Sequence, residues 1–291
     1  MIGLTERTRP IQHQPRMSKP VLIILHQEHS TPGRVGHHFK ARGIPMDVRR
    51  PRFGEPLPET IAEHAGVVVF GGPMSANDSD DFIRSEIDWL AVPLQEQKPL
   101  LGICLGAQML AKHLGARVSI HPEGKAEIGY YPIRPTMAGL GVCAAWPSSV
   151  YQWHREGIDL PHAARLLAEG DIFEVQAFAY GPAAYGIQFH AEVTHAMMCR
   201  WTTRGHERLS LPGAKSRLEH FADRPVYDAA IRAWLADFLD HWIARKSATS
   251  PVGAATRLAP RAAQTRAVAD IDALSPNDSS LAQAAGGAKG I

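Results

Sequence analysis

The apolar residues of this chain gather in short unbroken runs, and those runs alternate with segments of helical spacing. PVLIILHQ (Pro20 to Gln27), AGVVVFGGP (Ala65 to Pro73) and KPLLGIC (ending at Cys104) are the clearest runs. Apolar stretches of this length with no polar alternation fit strands covered on both faces. Between them, TPGRVGHHFKARGI predicts a helix stopped near Gly43, and MDVRRP a second strand. DDFIRSEIDWLAVPLQ places Phe82, Ile83, Ile87 and Leu90 near helical spacing, and AQMLAKHL predicts a helix closed by Gly115. Strands alternating with helices predict an α/β fold with a mostly parallel central sheet and helices on both faces.

From Ala116 to Trp146 the pattern turns to short extended pieces, including EIGYYPIRPT, which fit antiparallel additions to the sheet. FEVQAFAYGPAAYGIQFHAEV predicts paired strands joined at Gly181-Pro182, with GIQFHAE the inner one. VYDAAIRAWLADFLDHWIARK aligns Tyr227, Ile231, Leu235, Phe238 and Trp242 along one helical face, and its tryptophans are expected in the core. Residues 1–18 are expected to be a flexible extension and 19–246 a single domain. Residues 247–291, rich in small and polar residues, are expected to be disordered.

Several function classes lose support. A formal charge of +2 gives no reason to expect a nucleic-acid partner, and no apolar run approaches the ~20 residues of a membrane span. The opening residues lack the apolar core of a signal peptide. Three widely spaced cysteines argue against a disulfide framework and for a reducing, cytoplasmic setting. Without a CxxC or HExxH pattern no metal is expected. GLGVCA (Gly139 to Ala144) matches a dinucleotide fingerprint without its strand and helix context, and no phosphate-binding GxxxxGK[ST] run occurs, so no cofactor is expected. Cys143 and Cys199 read as ordinary buried or helical residues.

Three pieces carry chemistry. GICLGAQ (Gly102 to Gln108) feeds a strand directly into a helix through a cysteine. Cys104 is either a small buried hydrophobe or a nucleophile on a strained turn, its sulfur exposed above the sheet edge beside a helix N-terminus. In GIQFHAEV, His190 and Glu192 on a strand would share a face, as partners in a simple ion pair or as a base with its orienting carboxylate. FGGPMSAND ends a strand in Gly71-Gly72, either a plain turn or one whose Gly72 N–H joins that of Leu105 as an oxyanion hole.

Taken together, the order Gly-Gly, G-x-C-x-G, H-x-E resembles the class I (triad) glutamine amidotransferase family. The resemblance runs from about Lys19 to Lys246. VVVFGGPMSAND, LLGICLGAQMLAKHLGARV, EIGYYPI and YGIQFHAEVT are most similar to stand-alone proteins related to the glutaminase domain of GMP synthase. It implies a three-layer, flavodoxin-like fold and hydrolysis of a glutamine side-chain amide through a cysteine thioester, giving glutamate and ammonia. By matching positions it implies Cys104 as nucleophile, His190 as acid and base, and Glu192 as its orienter. Gly72 and Leu105 become oxyanion donors, and Gly71, Gln108, Trp153, His154 and Arg155 substrate contacts.

Two departures stand out. Ala191 replaces the proline often found between the histidine and glutamate, and Arg155 stands where many relatives carry glycine. The second leaves the γ-glutamyl substrate open. Besides a glutaminase, a γ-glutamyl peptidase acting on γ-glutamyl conjugates and a non-catalytic binding protein of the same fold remain alternatives. No synthetase module is recognisable, so ammonia released here would pass to a separate synthetase subunit.

Overall fold

The computed structural model describes residues 18–244; the expectations for the two terminal segments lie outside them, apart from Ser18, as do residues 245–246 of the domain's expected range. Five parallel strands form one side of a nine-stranded sheet: β1 (Val21–Ile24), β2 (Met46–Arg49), β3 (Gly66–Val69), β4 (Leu100–Ile103) and β11 (Ala184–Ile187), in spatial order β2-β1-β3-β4-β11. The sheet continues antiparallel through β10 (Val175–Tyr180), β9 (Arg165–Gly170), β6 (Glu127–Pro135) and β7 (Ser149–His154). β5 (Val118–Ile120) and β8 (Glu156–Ile158) pair separately as a small antiparallel ribbon.

β1, β3, β4 and β11 are buried at every position, which is why their sequences show no polar alternation. Their side chains divide by the two-residue period of a strand. Val21, Ile23, Val68, Leu101 and Ile103 face α1 (Gly33–Ala41) and Ile231, Trp234, Phe238 and Trp242 of α7 (Arg217–Ala244). Leu22, Ile24, Val67, Val69 and Leu100 face the opposite layer, which holds α2 (Asp81–Trp89), α3 (Ala91–Gln95) and α4 (Leu105–His113). Each such Val, Leu or Ile contributes about 1.5–3 kcal/mol by leaving water. The tryptophans of α7 are core residues, as expected.

α7 starts earlier than its sequence pattern, running on through Pro225. A proline inside a helix sacrifices one backbone hydrogen bond, and here the upstream turns are anchored independently. His220 is buried, accepts a hydrogen bond from the Tyr151 hydroxyl (3.0 Å) and donates to the Lys215 carbonyl (3.2 Å). α5 (Met137–Leu140) overlaps the GLGVCA fingerprint, and its Gly139 lies where a Cβ would come within 2.1 Å of the Leu167 carbonyl oxygen. That glycine serves packing on β9.

The junction of β4 and α4 is the tightest part of the fold. A Cβ on Gly102 would sit 2.5 Å from the Gly106 carbonyl, and one on Gly106 would sit 2.1 Å from the Val69 carbonyl oxygen of β3. Both obstacles are backbone, so they cannot swing aside. Gly106→Ala is therefore expected to cost roughly 3 kcal/mol, the upper end for overpacking, read as a lowered urea midpoint; an unchanged midpoint would refute this account of the junction.

Candidate active site

Cys104 is the residue that joins β4 to α4. Its backbone is at φ +50°, ψ −105°, a region a residue with a Cβ rarely occupies. Its N–H donates to the Ile187 carbonyl of β11 (2.8 Å), and its carbonyl accepts the Gln108 N–H (2.9 Å). The sulfur therefore hangs between a strand end and the first turn of a helix, whose N–H groups have no intrahelical acceptor. Leu105 is the first helical residue. Of the two sequence readings each is met in part: the turn is strained, yet the sulfur is not exposed above the sheet edge, Cys104 being only 5% exposed. The cover is local: a Cβ on Gly71 would lie 2.9 Å from His190 Cε1 and 3.4 Å from Cys104 Cβ.

His190 and Glu192 do not lie on a strand, because β11 ends at Ile187. Their pairing comes from the tight turn that follows. Nδ1 of His190 lies 2.8 Å from Glu192 Oε1, and both side chains are buried. The His190 N–H donates to the Tyr151 carbonyl of β7 (2.8 Å), and the Glu192 carbonyl accepts the Arg34 N–H at the start of α1 (2.9 Å). The ring and the Cys104 side chain meet beside the same Gly71 backbone, and Trp201 of α6 (His195–Arg204) packs edge-on against the ring at 4.8 Å. Burial opposes a charge on His190, but Glu192 and Cys104 outweigh it and raise its pKa to about 10. The arrangement holds a doubly protonated imidazole beside a sulfur.

A neighbouring pair is not visible in the sequence pattern. His26, just past β1, and Glu86 of α2 are completely buried and 2.9 Å apart. Burial again opposes the charge on His26, and the Glu86 carboxylate raises its pKa above the usual value. With both nitrogens protonated, Nδ1 donates to the Gly71 carbonyl (3.2 Å), while a Cβ on Gly72 would meet His26 Cβ at 3.0 Å. The Gly71-Gly72 turn is thus fixed from below. Only a histidine in an apolar run hints at it.

The remaining expected contacts are divided. Gly71, Gly72, Trp153, His190 and Glu192 line a cavity of about 400 Å³. Cys104, Leu105, Gln108, His154 and Arg155 do not. The YQWHREG segment is a strand-turn-strand, β7 to β8, with Arg155 exposed at the turn. His154 is buried against Glu127 (3.0 Å), and Gln108 Nε2 donates to the Glu156 carbonyl (3.0 Å). The Glu156 side chain accepts from Ser75 (2.8 Å) in the loop that follows the glycine pair. Cys143 is buried, which pushes its thiol up to about 11, and Cys199 lies half-buried on α6. Among the described residues no group of His, Cys, Asp and Glu is placed to hold a metal, and no helix is long and apolar enough to cross a membrane.

The family model for glutamine amidotransferase class-I matches residues 29–200. The chain is 33% identical over 183 residues to the glutamine amidotransferase-like protein YfeJ of Salmonella typhimurium, covering 60% of this chain and 76% of that protein. It is 32% identical over 155 residues to the glutamine-hydrolysing GMP synthase of Neisseria gonorrhoeae, covering 51% of this chain but only 28% of that longer protein. Among solved structures, a glutamine amidotransferase from Methylobacillus flagellatus superposes with a TM-score of 0.74 at 27% identity, covering 81% of this chain and all of that one. One from Thermotoga maritima gives 0.69 at 31% identity, covering 77% and 97%.

The proton on His190 makes a prediction about stability. A histidine whose folded pKa is raised contributes in full below its ordinary pKa of roughly 6.5, and the contribution disappears as pH rises through the folded value. Unfolding free energy from urea titrations should therefore fall between about pH 6.5 and about pH 10. Glu192→Gln, which removes the holding charge, should make the fall shallower; equal slopes would contradict it.

Proposed function

Because the chain belongs to the class I glutamine amidotransferase family, we propose that it hydrolyses the side-chain amide of glutamine or a related γ-glutamyl compound through a thioester on Cys104. The observation that carries this reading is a single line of neighbours: a strained Cys104 at the head of α4, the His190 ring next to it against the same Gly71 backbone, and Glu192 bonded to that ring at 2.8 Å.

In this reading His190 stores the sulfur's proton, and Glu192 keeps the ring oriented and its charge compensated. The thiolate attacks the γ-carbonyl. Its oxygen becomes an oxyanion held by the backbone N–H groups of Gly72 and Leu105, a pair of donors each worth roughly 3–4 kcal/mol at the transition state. His190 then gives its proton to the departing nitrogen, and later takes one from the water that opens the thioester. Gln108, by holding the Glu156 backbone, positions the β7–β8 turn beside the substrate rather than facing the cavity. All three cysteines are unpaired, which supports a reducing compartment such as the cytoplasm.

Ammonia released in this way has a natural recipient in a separate synthetase. The chain is 30% identical over 142 residues to a protein of Thermoplasma volcanium whose name makes it one subunit of a glutamine-hydrolysing GMP synthase. That relationship supports a partnership of the same kind here.

The test is glutamate release from glutamine together with labelling by a glutamine-mimicking alkylator. Cys104→Ala should lower turnover by roughly 10³-fold or more, and mass spectrometry should place the label on Cys104. Glu192→Gln should lower kcat by about 10²-fold or more while leaving the labelled position unchanged. Turnover surviving in Cys104→Ala, or a Cys104 that never reacts, would favour the non-catalytic reading.

A further inference from the structure

The cavity beside His190 is far larger than the departure of ammonia requires. Ammonia is about the size of a water molecule, which occupies roughly 30 Å³ in the liquid, whereas the cavity holds about 400 Å³. That is within the range of sites for much larger ligands, roughly 300–1,000 Å³. The amide nitrogen must leave toward the group that protonates it, so the space on His190's open side belongs to the amine half of a substrate. Of the substrate contacts that the family resemblance implies, Gly71 and Trp153 line this cavity, whereas Gln108, His154 and Arg155, like the Cys104 sulfur itself, are absent from its wall.

The wall has two chemical characters. Leu25, Phe70, Trp153, Met197 and Trp201 make it apolar near His190. Arg200 and Arg204 of α6, and Arg208 on the 3-10 turn His206–Ser210, add cationic groups to the same wall. Elsewhere in the described residues, Arg34, Arg42, Arg49, Arg84, Arg117 and Arg134 each have an aspartate within salt-bridge distance, although others, such as Arg155 and Arg165, do not. The cavity arginines have no such carboxylate among the described residues. Arg200 and Arg208 donate weakly to the His29 and Pro73 carbonyls, both at 3.5 Å. Of the acidic groups at the cavity, Glu192 is bonded to His190, while Glu28 and Glu207 are exposed and lie 3.8 and 3.7 Å from the exposed His29 and His206.

We propose that this cavity binds the amine half of a γ-glutamyl amino acid or short γ-glutamyl peptide, with Arg204, Arg208 and Arg200 holding its carboxylate. The proposal rests on the reading of Cys104 as the nucleophile and deepens it by naming a substrate class. A guanidinium matches a carboxylate through paired, charge-assisted hydrogen bonds, which a lysine or a neutral donor does not reproduce. The chemistry balances without any added reactant but water. The Cys104 sulfur bonds to the side-chain carbonyl carbon, and that carbon's C–N bond breaks with its electron pair going to nitrogen. His190 supplies the proton that completes the free amine. Water then attacks the thioester carbon, its proton passes to His190, and the C–S bond breaks to give glutamate and the original thiolate.

The test compares γ-glutamyl-glycine with γ-glutamyl-methylamide, which differ in the carboxylate, using the full chain. The expected result is a kcat/KM for glutamate release roughly tenfold or more higher for γ-glutamyl-glycine, as a charge-assisted contact would give. Arg204→Gln combined with Arg208→Gln should collapse that ratio toward one, and Arg→Lys at the same positions should restore it only in part. A ratio near one in the unaltered protein, or one that the double Gln variant leaves intact, would overturn the proposal. Should the protein release glutamate from neither compound nor from glutamine, the hydrolase reading fails separately. Calorimetric binding of both compounds to Cys104→Ala then decides the site, which stands on a tenfold preference for γ-glutamyl-glycine and falls without one.

Discussion

Close backbone contact between α4 and the sheet is the constraint on which the rest of the molecule depends. Gly102 and Gly106 bring the helix so near to β3 and β4 that no side chain fits between them. A chain forced from strand to helix in that space must turn within one residue, and Cys104 is that residue, at φ +50°. Strain of this kind costs of order 1–3 kcal/mol and persists only where the surroundings over-determine it. Here the surroundings are the fully buried strands on either side and two hydrogen bonds on the cysteine's own backbone. The conformation that aims the sulfur is thus a by-product of packing, and the packing is secured by the two-sided core.

Three buried histidine–glutamate pairs surround this turn: His190–Glu192, His26–Glu86 and His154–Glu127, at 2.8, 2.9 and 3.0 Å. Charges taken out of water survive only when paired and hydrogen-bonded, and each pair meets that condition in a different way. His26 lends a proton to the Gly71 carbonyl, and so fixes the turn that covers His190. His154 is tied through Glu127 to Gln176 within the antiparallel half of the sheet. Only His190 stands beside a thiol. The same pairing therefore acts as scaffold twice and as candidate chemistry once, and the difference lies in the neighbour, not in the pair.

Much of this was legible in the sequence, for physical reasons that also mark where legibility stops. Strands buried on both faces must be apolar throughout, so VLII, GVVV and LLGI declared themselves. Helix α7 announced its apolar stripe, but Pro225 hid its first turns because a proline ordinarily ends a helix. The His190–Glu192 pair was legible from spacing, although strand alternation is not what joins them: a turn beyond β11 does. Burial of Cys104 was one of two readings left open by its sequence, and the His26 brace was not legible, since both arise from contacts between segments far apart in the chain. Nor did HAMMCRWTTRGHERLS reveal that its arginines would meet at one cavity, because that depends on how α6 lies across the ends of the strands.

The near-complete enclosure of Cys104 has a consequence for its life in a cell. A reactive sulfur on an open rim would be consumed by peroxides and by exchange with free thiols, and would climb toward irreversible sulfonic acid. With one-twentieth of its surface accessible beneath the Gly71 backbone, it is shielded from collisions with bulky thiols and disulfides. If Cys104 is the nucleophile proposed above, its reactivity is filtered by shape, and a molecule gains entry by being narrow at the end that must arrive first.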